Sequence, residues 1–270
     1  MFNKKTICLL VAATIAAPTL SIAALNSAGA KLISTLTKGE LTPTQQFKAP
    51  MNLEGYVVKT PNGQQMIYFT DKSGKYLIAG NIIEKGGKNL TQEYTAKYIN
   101  SEMAATAYKN LHTTNWVSQG KSSAPHKLYV LWDPDCSICH MLFGALQPMI
   151  AAGKVQVRWI PVAIRPNSKG KSAQILAAKS DAASVKLMKK DEAKFIMSKE
   201  QGGLKGIKAT AKTKADFAKV KANTDFFSNS HFSGTPVILY KNKHGKPEMV
   251  PGFMGKPAVT KMLAKVSKHW

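Results

Sequence analysis

Two thiols separated by two residues and followed by a histidine, Cys136-Ser137-Ile138-Cys139-His140, are the most reactive grouping in the chain. An apolar run of strand type, Leu128-Tyr129-Val130-Leu131-Trp132, precedes them, and Met141-Leu142-Phe143 opens a helical pattern behind them. The pair therefore falls on a strand-to-helix turn. A helix N-terminus offers unpaired N–H groups and about half a positive charge, and both favour thiolate over thiol. Three chemistries suit these residue types: a redox dithiol, haem attachment at Cys-x-x-Cys-His, and metal ligation. A cysteine of pKa ~8.5 is only about 3% thiolate at pH 7, whereas one of pKa roughly 5 is almost wholly ionised. The helix terminus supplies about 0.3–2 kcal/mol, roughly one pKa unit, so hydrogen bonds within the turn must add to it.

The remaining cysteine usage narrows the choice. Lys4 and Lys5 precede an apolar stretch from Ile7 through Ala17, with small-residue cleavage sites at Ser21-Ile22-Ala23 and Ala28-Gly29-Ala30. This layout marks residues 1–30 as a cleavable secretory signal, too short and too interrupted to be read as a bilayer span. Cys8 leaves with it, so Cys136 and Cys139 are the mature protein's only cysteines. A disulfide between them closes a tiny loop and restrains little of the unfolded chain, which makes its value chemical. Zinc would need two further ligands, and there is no second Cys/His pair at suitable spacing.

Composition separates other classes. Of the 270 residues, 44% are hydrophobic and 20% charged, which is ordinary; the net charge of +23, or +21 after loss of Lys4 and Lys5, is not. The lysines are dispersed, without the interleaved aromatics of a stacking platform, which argues against nucleic acid as a partner. They describe a generally basic surface, able to attract acidic clients or anionic membrane.

Several elements must position the dithiol. Residues 31–49 read as a polar, mildly helical lead-in. Strand patterns follow at Leu53–Val58, Gln65–Thr70 and Tyr76–Ala79, with turns at Pro61-Asn62-Gly63 and Asp71-Lys72-Ser73-Gly74, giving a three-stranded antiparallel meander. A sheet this small needs a helix or a second subunit to cover it. Thr91 is the expected cap of a connecting helix running to about His112, and Gln119–Pro125 reads as a domain boundary. Beyond it come the strand Leu128–Trp132, the dithiol turn, a helix to about Ala152 and a strand over Val155–Val162. Strand, helix, strand implies a parallel pair with a right-handed crossover, placing the dithiol at a strand's carboxyl end. Residues 168–230, rich in Ala and Lys, read as a helical insertion with a solvated lysine face. Ser233-Gly234-Thr235-Pro236 introduces the strand Val237–Tyr240, and its Thr-Pro step suggests a cis peptide bond. A short strand over Glu248–Gly252 and a helix from Pro257 to about Lys268 close the chain.

This order of elements resembles a thioredoxin fold, and in detail it resembles the DsbC/DsbG family of periplasmic disulfide isomerases and reductases, the DsbG branch above all. Beyond the two cysteines, the resemblance rests on Asp133-Pro134, Trp116, Gly153-Lys154-Val155-Gln156-Val157-Arg158 and the segment Ala173–Lys179, and it spans most of residues 45–265. It departs from the family at Ser137-Ile138, where Pro-Tyr or Gly-Tyr is the usual pair, at His140, which sits nearer the DsbC branch, and in its basic charge.

The resemblance implies an α+β chain: signal peptide at 1–30, a β-rich, cystatin-like dimerisation domain at 31–90, a linker helix at 91–122, and a thioredoxin-like catalytic domain at 123–270. It further implies a V-shaped homodimer joined through residues 45–90, located in the periplasm. Unfolded or misoxidised exported proteins would be its clients, a DsbD-like membrane reductase its source of electrons, and no cofactor or metal would be required. Cys136 is expected to face solvent as the attacking thiolate and Cys139 to act as the shielded, resolving thiol. Thr235 and Pro236 would form a substrate-binding loop opposite them, and Ser137 and Ile138 would tune the potential. His140 would either tune the thiols by its charge or face solvent, while Asp133 and Asp135 would either cap the turn or repel the thiolate. Two functional alternatives remain beside the isomerase/reductase: a dimeric disulfide oxidase sharing the same site, and a c-type cytochrome with His140 as axial ligand.

Overall fold

The computed structural model describes residues 25–270. The signal segment and Cys8 therefore fall largely or wholly outside the described residues. Helix α1 (Ala28–Leu36) starts on Ser27, whose side chain accepts from the Ala30 N–H, and buries Ala30 and Ile33. Four strands follow: β1 (Thr42–Lys48), β2 (Leu53–Lys59), β3 (Gln65–Asp71) and β4 (Leu77–Ile78), paired in that order as an antiparallel sheet. The lead-in expected over 31–49 is thus a helix and an edge strand. Its strand pattern was obscured because β1 is polar, carries Pro43 and has a register shift between Pro43 and Gln45. Tyr56 and Val58 pack under α1, while Phe47, Val57, Ile67 and Phe69 face the linker. Both sides of the small sheet are covered from within the chain.

After a short hairpin, β5 (Ile83–Glu84) with β6 (Lys88–Asn89), the linker begins at α2 (Leu90–Tyr94). Its cap is Asn89, which accepts from the Gln92 N–H at 3.0 Å. Thr91, the cap expected from sequence, instead accepts from the Ile82 N–H at 3.0 Å and donates to the Gly80 carbonyl at 3.2 Å, pinning the incoming loop. The helix continues through a π-helical segment, Thr95–Asn100, into α3 (Ser101–Asn110). Tyr94 and Tyr98 both lie against Phe47, with ring centroids at 4.7 and 4.3 Å.

The larger, five-stranded sheet contains β7 (Val117–Gln119), β8 (His126–Trp132), β9 (Val155–Pro161), β10 (Val237–Lys241) and β11 (Pro247–Pro251), in the order β11-β10-β8-β9-β7. β8 and β9 are parallel, and the other pairs are antiparallel. Because β7 pairs with β9, this sheet starts ahead of residue 123 and ahead of the boundary read at 119–125. Central strand β8 is buried on both faces. Leu128, Val130 and Trp132 meet α4 (Ser137–Ala151), whereas Tyr129 and Leu131 meet α3 and α7 (Lys214–Asn229). The insertion comprises α5 (Ser168–Leu176), α6 (Asp181–Glu192), an irregular stretch and α7, and α8 (Lys256–Leu263) closes the fold.

Candidate active site

Strand β8 ends at Trp132, and four residues later α4 begins, so Asp133-Pro134-Asp135-Cys136 must turn the chain sharply. The Cys136 N–H donates to the Asp133 carbonyl at 3.1 Å to close that turn. Cys136 then caps α4, its sulfur accepting from the Cys139 N–H at 3.4 Å. This is the helix-terminus arrangement that favours a sulfur anion. Cys139, one turn on, has its sulfur 3.5 Å from the Asp133 N–H. Both are free thiols.

Across the sheet, the Thr235–Pro236 peptide bond is cis. The Cys136 thiol donates to the Thr235 carbonyl at 3.3 Å, so the residues picked out at 136 and 235, ninety-nine positions apart, share one site. The solvent-facing position expected for Cys136 is not found: it is 2% exposed and Cys139 is 0% exposed. The Thr235 loop on one side and the helix start on the other enclose the first sulfur.

The two thiols differ in acidity. Cys136 is lowered to about 6, foremost because the Cys139 thiol donates to it, with help from the Thr235 side chain and the Cys139 N–H; burial and the Asp133 carboxylate oppose the shift. Cys139 is raised well above the usual cysteine value, first by burial and then by its partner sulfur. One sulfur is prepared as a thiolate and the other is held protonated.

Asp133 caps the turn through the Asp135 N–H, opposes the Cys136 thiolate, and also ties down the loop after β9. Its carboxylate accepts from the N–H groups of Asp135, Ile164 and Arg165, at 2.7–3.0 Å, and from Ser168 Oγ at 2.9 Å. Burial raises its pKa against these bonds. Asp135 pairs with Lys171 Nζ at 2.5 Å, and the same ammonium lies 3.5 Å from Asp191. Lys171 is therefore not on a solvated lysine face; it is buried between two carboxylates. Burial raises Asp191, with Lys171 among the opposing influences.

His140 does not face solvent either. Its Nε2 meets the Pro134 carbonyl at 2.8 Å, its Nδ1 meets the Glu192 carboxylate, and its ring stacks on Phe195 with centroids 3.5 Å apart. With both ring nitrogens engaged, neither is available as an axial ligand, and the site does not fit haem. Among the described residues no group of His, Cys, Asp and Glu could hold a metal ion. Ser137 Oγ lies 3.3 Å from both the Met197 carbonyl and Glu200, and Ile138 is exposed. Beside them an open groove of about 640 Å³ runs between α4, Phe195, Met197 and Phe253.

Lys171, Asp191 and Glu192 were missed by sequence reasoning. They lie 35 to 56 residues beyond Cys136 at the end of the turn they support, and nothing in a Lys-rich helical stretch marks one lysine as buried.

A dithiol of unequal acidity at the start of a helix, facing a cis-proline loop across a thioredoxin-like sheet, defines a protein thiol–disulfide oxidoreductase. Residues 23–92 match the family model described as "Disulfide bond isomerase protein N-terminal domain". The thiol:disulfide interchange protein DsbG of Pseudomonas aeruginosa is 31% identical over 209 residues, covering 76% of this chain and 77% of that protein. DsbG of Escherichia coli is 28% identical over 222 residues, covering 82% and 85%. The chain belongs to the DsbC/DsbG family of disulfide isomerases and reductases.

Proposed function

We propose that this protein works in the periplasm as an isomerase and reductase of misoxidised exported proteins, with Cys136 as nucleophile and Cys139 as resolving thiol. The observation that carries the reading is the opposed acidity of the two sulfurs, about 6 for Cys136 and well above the ordinary value for Cys139. The Cys136 thiolate attacks one sulfur of a client disulfide; a Cys136–client bond forms and the other client sulfur leaves as a thiolate. In isomerisation a client thiolate then attacks that mixed disulfide elsewhere and frees Cys136. In reduction Cys139 gives up its proton and attacks Cys136, releasing the client with two electrons and leaving a Cys136–Cys139 disulfide. A dithiol of a DsbD-like membrane reductase restores the pair. Thr235 and Pro236 lie beside the sulfurs and suit a client's backbone, and Ser137 and Ile138 occupy the positions that tune the potential.

The domain reading accompanies this function: signal peptide, dimerisation domain to residue 90, linker to 122, and catalytic domain beyond, with β7 contributed from the linker region. A homodimer joined through residues 45–90 would set two dithiols on one client. Among the described residues no helix is long and apolar enough to cross a membrane.

One observation favours a second reading. A stabilised thiolate makes the disulfide form easier to reduce, which also suits an oxidase. Rapid acid quenching and thiol trapping of the protein in cells decides: a mainly reduced pair supports the isomerase/reductase, and a mainly oxidised pair supports the oxidase. Full biological activity in Cys136→Ser would refute both.

A further inference from the structure

The turn that presents Cys136 is held at three successive residues, each through groups of the insertion or the segment leading into it. The Asp133 carboxylate is tied to Ile164, Arg165 and Ser168, and the Asp135 carboxylate is tied to Lys171. Between them, the Pro134 carbonyl has its partner in His140, whose ring is gripped by Glu192 and Phe195. We propose that His140 is a positioning residue of the thiol–disulfide exchange, a strut between α6 and the Pro134 carbonyl that sets how the turn offers Cys136 to the Cys139 N–H. The proposal rests on Cys136 being the reacting thiol.

The protons fix the strut's polarity. A carbonyl only accepts, so Nε2 carries a hydrogen and donates to Pro134. Nδ1 faces the Glu192 carboxylate, so both ring nitrogens are occupied. The other charged group near the ring is Asp191, whose Oδ2 lies 3.8 Å from Nε2 and has no hydrogen-bond partner of its own. Lys171 and Asp135 stand beyond it. Trp132 and Phe195 flank the imidazole, which is 2% exposed, so water cannot readily replace what it gives to Pro134.

Freeing the Pro134 carbonyl would loosen the short segment from Asp133 to Cys136. The bond most sensitive to that movement is the one from the Cys139 N–H to the Cys136 sulfur, 3.4 Å long, because Cys136 is the last residue of that segment. A weaker bond leaves the thiolate less stable and the dithiol easier to oxidise.

The test compares His140→Ala, Glu192→Ala and Glu192→Gln in the full-length mature protein. Glutamine is the conservative variant, because its amide can still bond to Nδ1. The thiolate titration of Cys136 and the equilibrium with reduced and oxidised glutathione are read beside the melting temperature. Both alanine variants should raise the Cys136 midpoint and shift the glutathione equilibrium about threefold or more toward the protein disulfide, with Glu192→Gln within about twofold of wild type. If the alanine variants lower only the melting temperature, His140 is structural and the proposal fails. It also fails if Glu192→Gln shifts the equilibrium as far as Glu192→Ala, because charge and not the strut would then be responsible. Should His140→Ala not fold, the two Glu192 variants decide alone. These measurements read the thiol itself, so they stand apart from the direction of electron flow, which cellular trapping reports.

Discussion

Cys139→Ala should make Cys136 a much weaker acid. The Cys139 thiol is the foremost influence holding Cys136 near pH 6, ahead of the Thr235 side chain and the Cys139 N–H, both of which the variant keeps. A hydrogen bond to a charged group is worth about 1.5–3 kcal/mol, or roughly 1–2 pKa units. The midpoint should therefore rise to between ~7 and ~8, and the thiolate fraction at pH 7 should fall from ~90% to between ~50% and ~10%. Absorbance of the reduced protein at the thiolate band, followed against pH with Cys136→Ser as the blank, measures this directly. Cys139→Ser restores an O–H donor and should return the midpoint most of the way. The same shift has a sign in stability. A depressed acid stabilises the folded reduced protein fully above its unfolded pKa, and that contribution disappears as pH falls through the folded value. The contribution of Cys136 is therefore present above 9.0 and lost as pH falls to about 6, while Cys139, raised by burial, acts with the opposite sign on the alkaline side. An unchanged midpoint in Cys139→Ala would refute the leading role of the Cys139 thiol and leave the bonds from Thr235 and the Cys139 N–H as the main cause.

The buried charges and the amino-terminal helix can be tested in the same way. Lys171→Met should cost about 3–5 kcal/mol in denaturant unfolding, because it leaves the Asp135 and Asp191 carboxylates buried without their cation; a loss below about 1 kcal/mol would show that the pair is solvated in solution. Mass spectrometry of the exported protein should find Ala24 as its first residue. Cleavage after Ala30 would remove the Ser27 cap and the first turn of α1, whose Ala30 and Ile33 are buried on the sheet, whereas cleavage after Ala23 leaves that helix whole.

What could be read from the chain depended on how local its cause was. The dithiol, its place after β8 and the Thr235-Pro236 step are set by contiguous residues, as is the β2–β3 turn at Asn62-Gly63, so each left a short signature. Strand β1 left none, because an edge strand with a bulge and only Pro43 and Phe47 buried has no two-residue period. The linker's cap is ambiguous in the sequence for a related reason: Asn89 and Thr91 are both good caps, and only the approach of Ile82 draws the Thr91 hydroxyl away and leaves the role to Asn89. The burial of Lys171 and the engagement of His140 are set by α6 folding back onto the turn. No spacing of residues near Cys136 could have announced a partner at Glu192.

That folding back also explains why the protein's overall charge says little about its chemistry. The chain carries +23, yet the charged groups packed about the dithiol turn include Asp133, Asp135, Asp191 and Glu192 against one buried ammonium, Lys171. Surface lysines act through solvent, where screening shortens their reach from ~30 Å at 0.01 M salt to ~3 Å at 1 M. The hydrogen bonds that lower Cys136 are enclosed and hardly screened. Raising salt from 0.01 to 1 M should therefore move the Cys136 midpoint by less than about 0.3 units, while exchange with an acidic disulfide peptide slows about tenfold or more as long-range attraction is lost. A midpoint that climbs by a full unit would assign the thiolate to the basic surface, and the bonds of Cys139 and Thr235 would then be secondary.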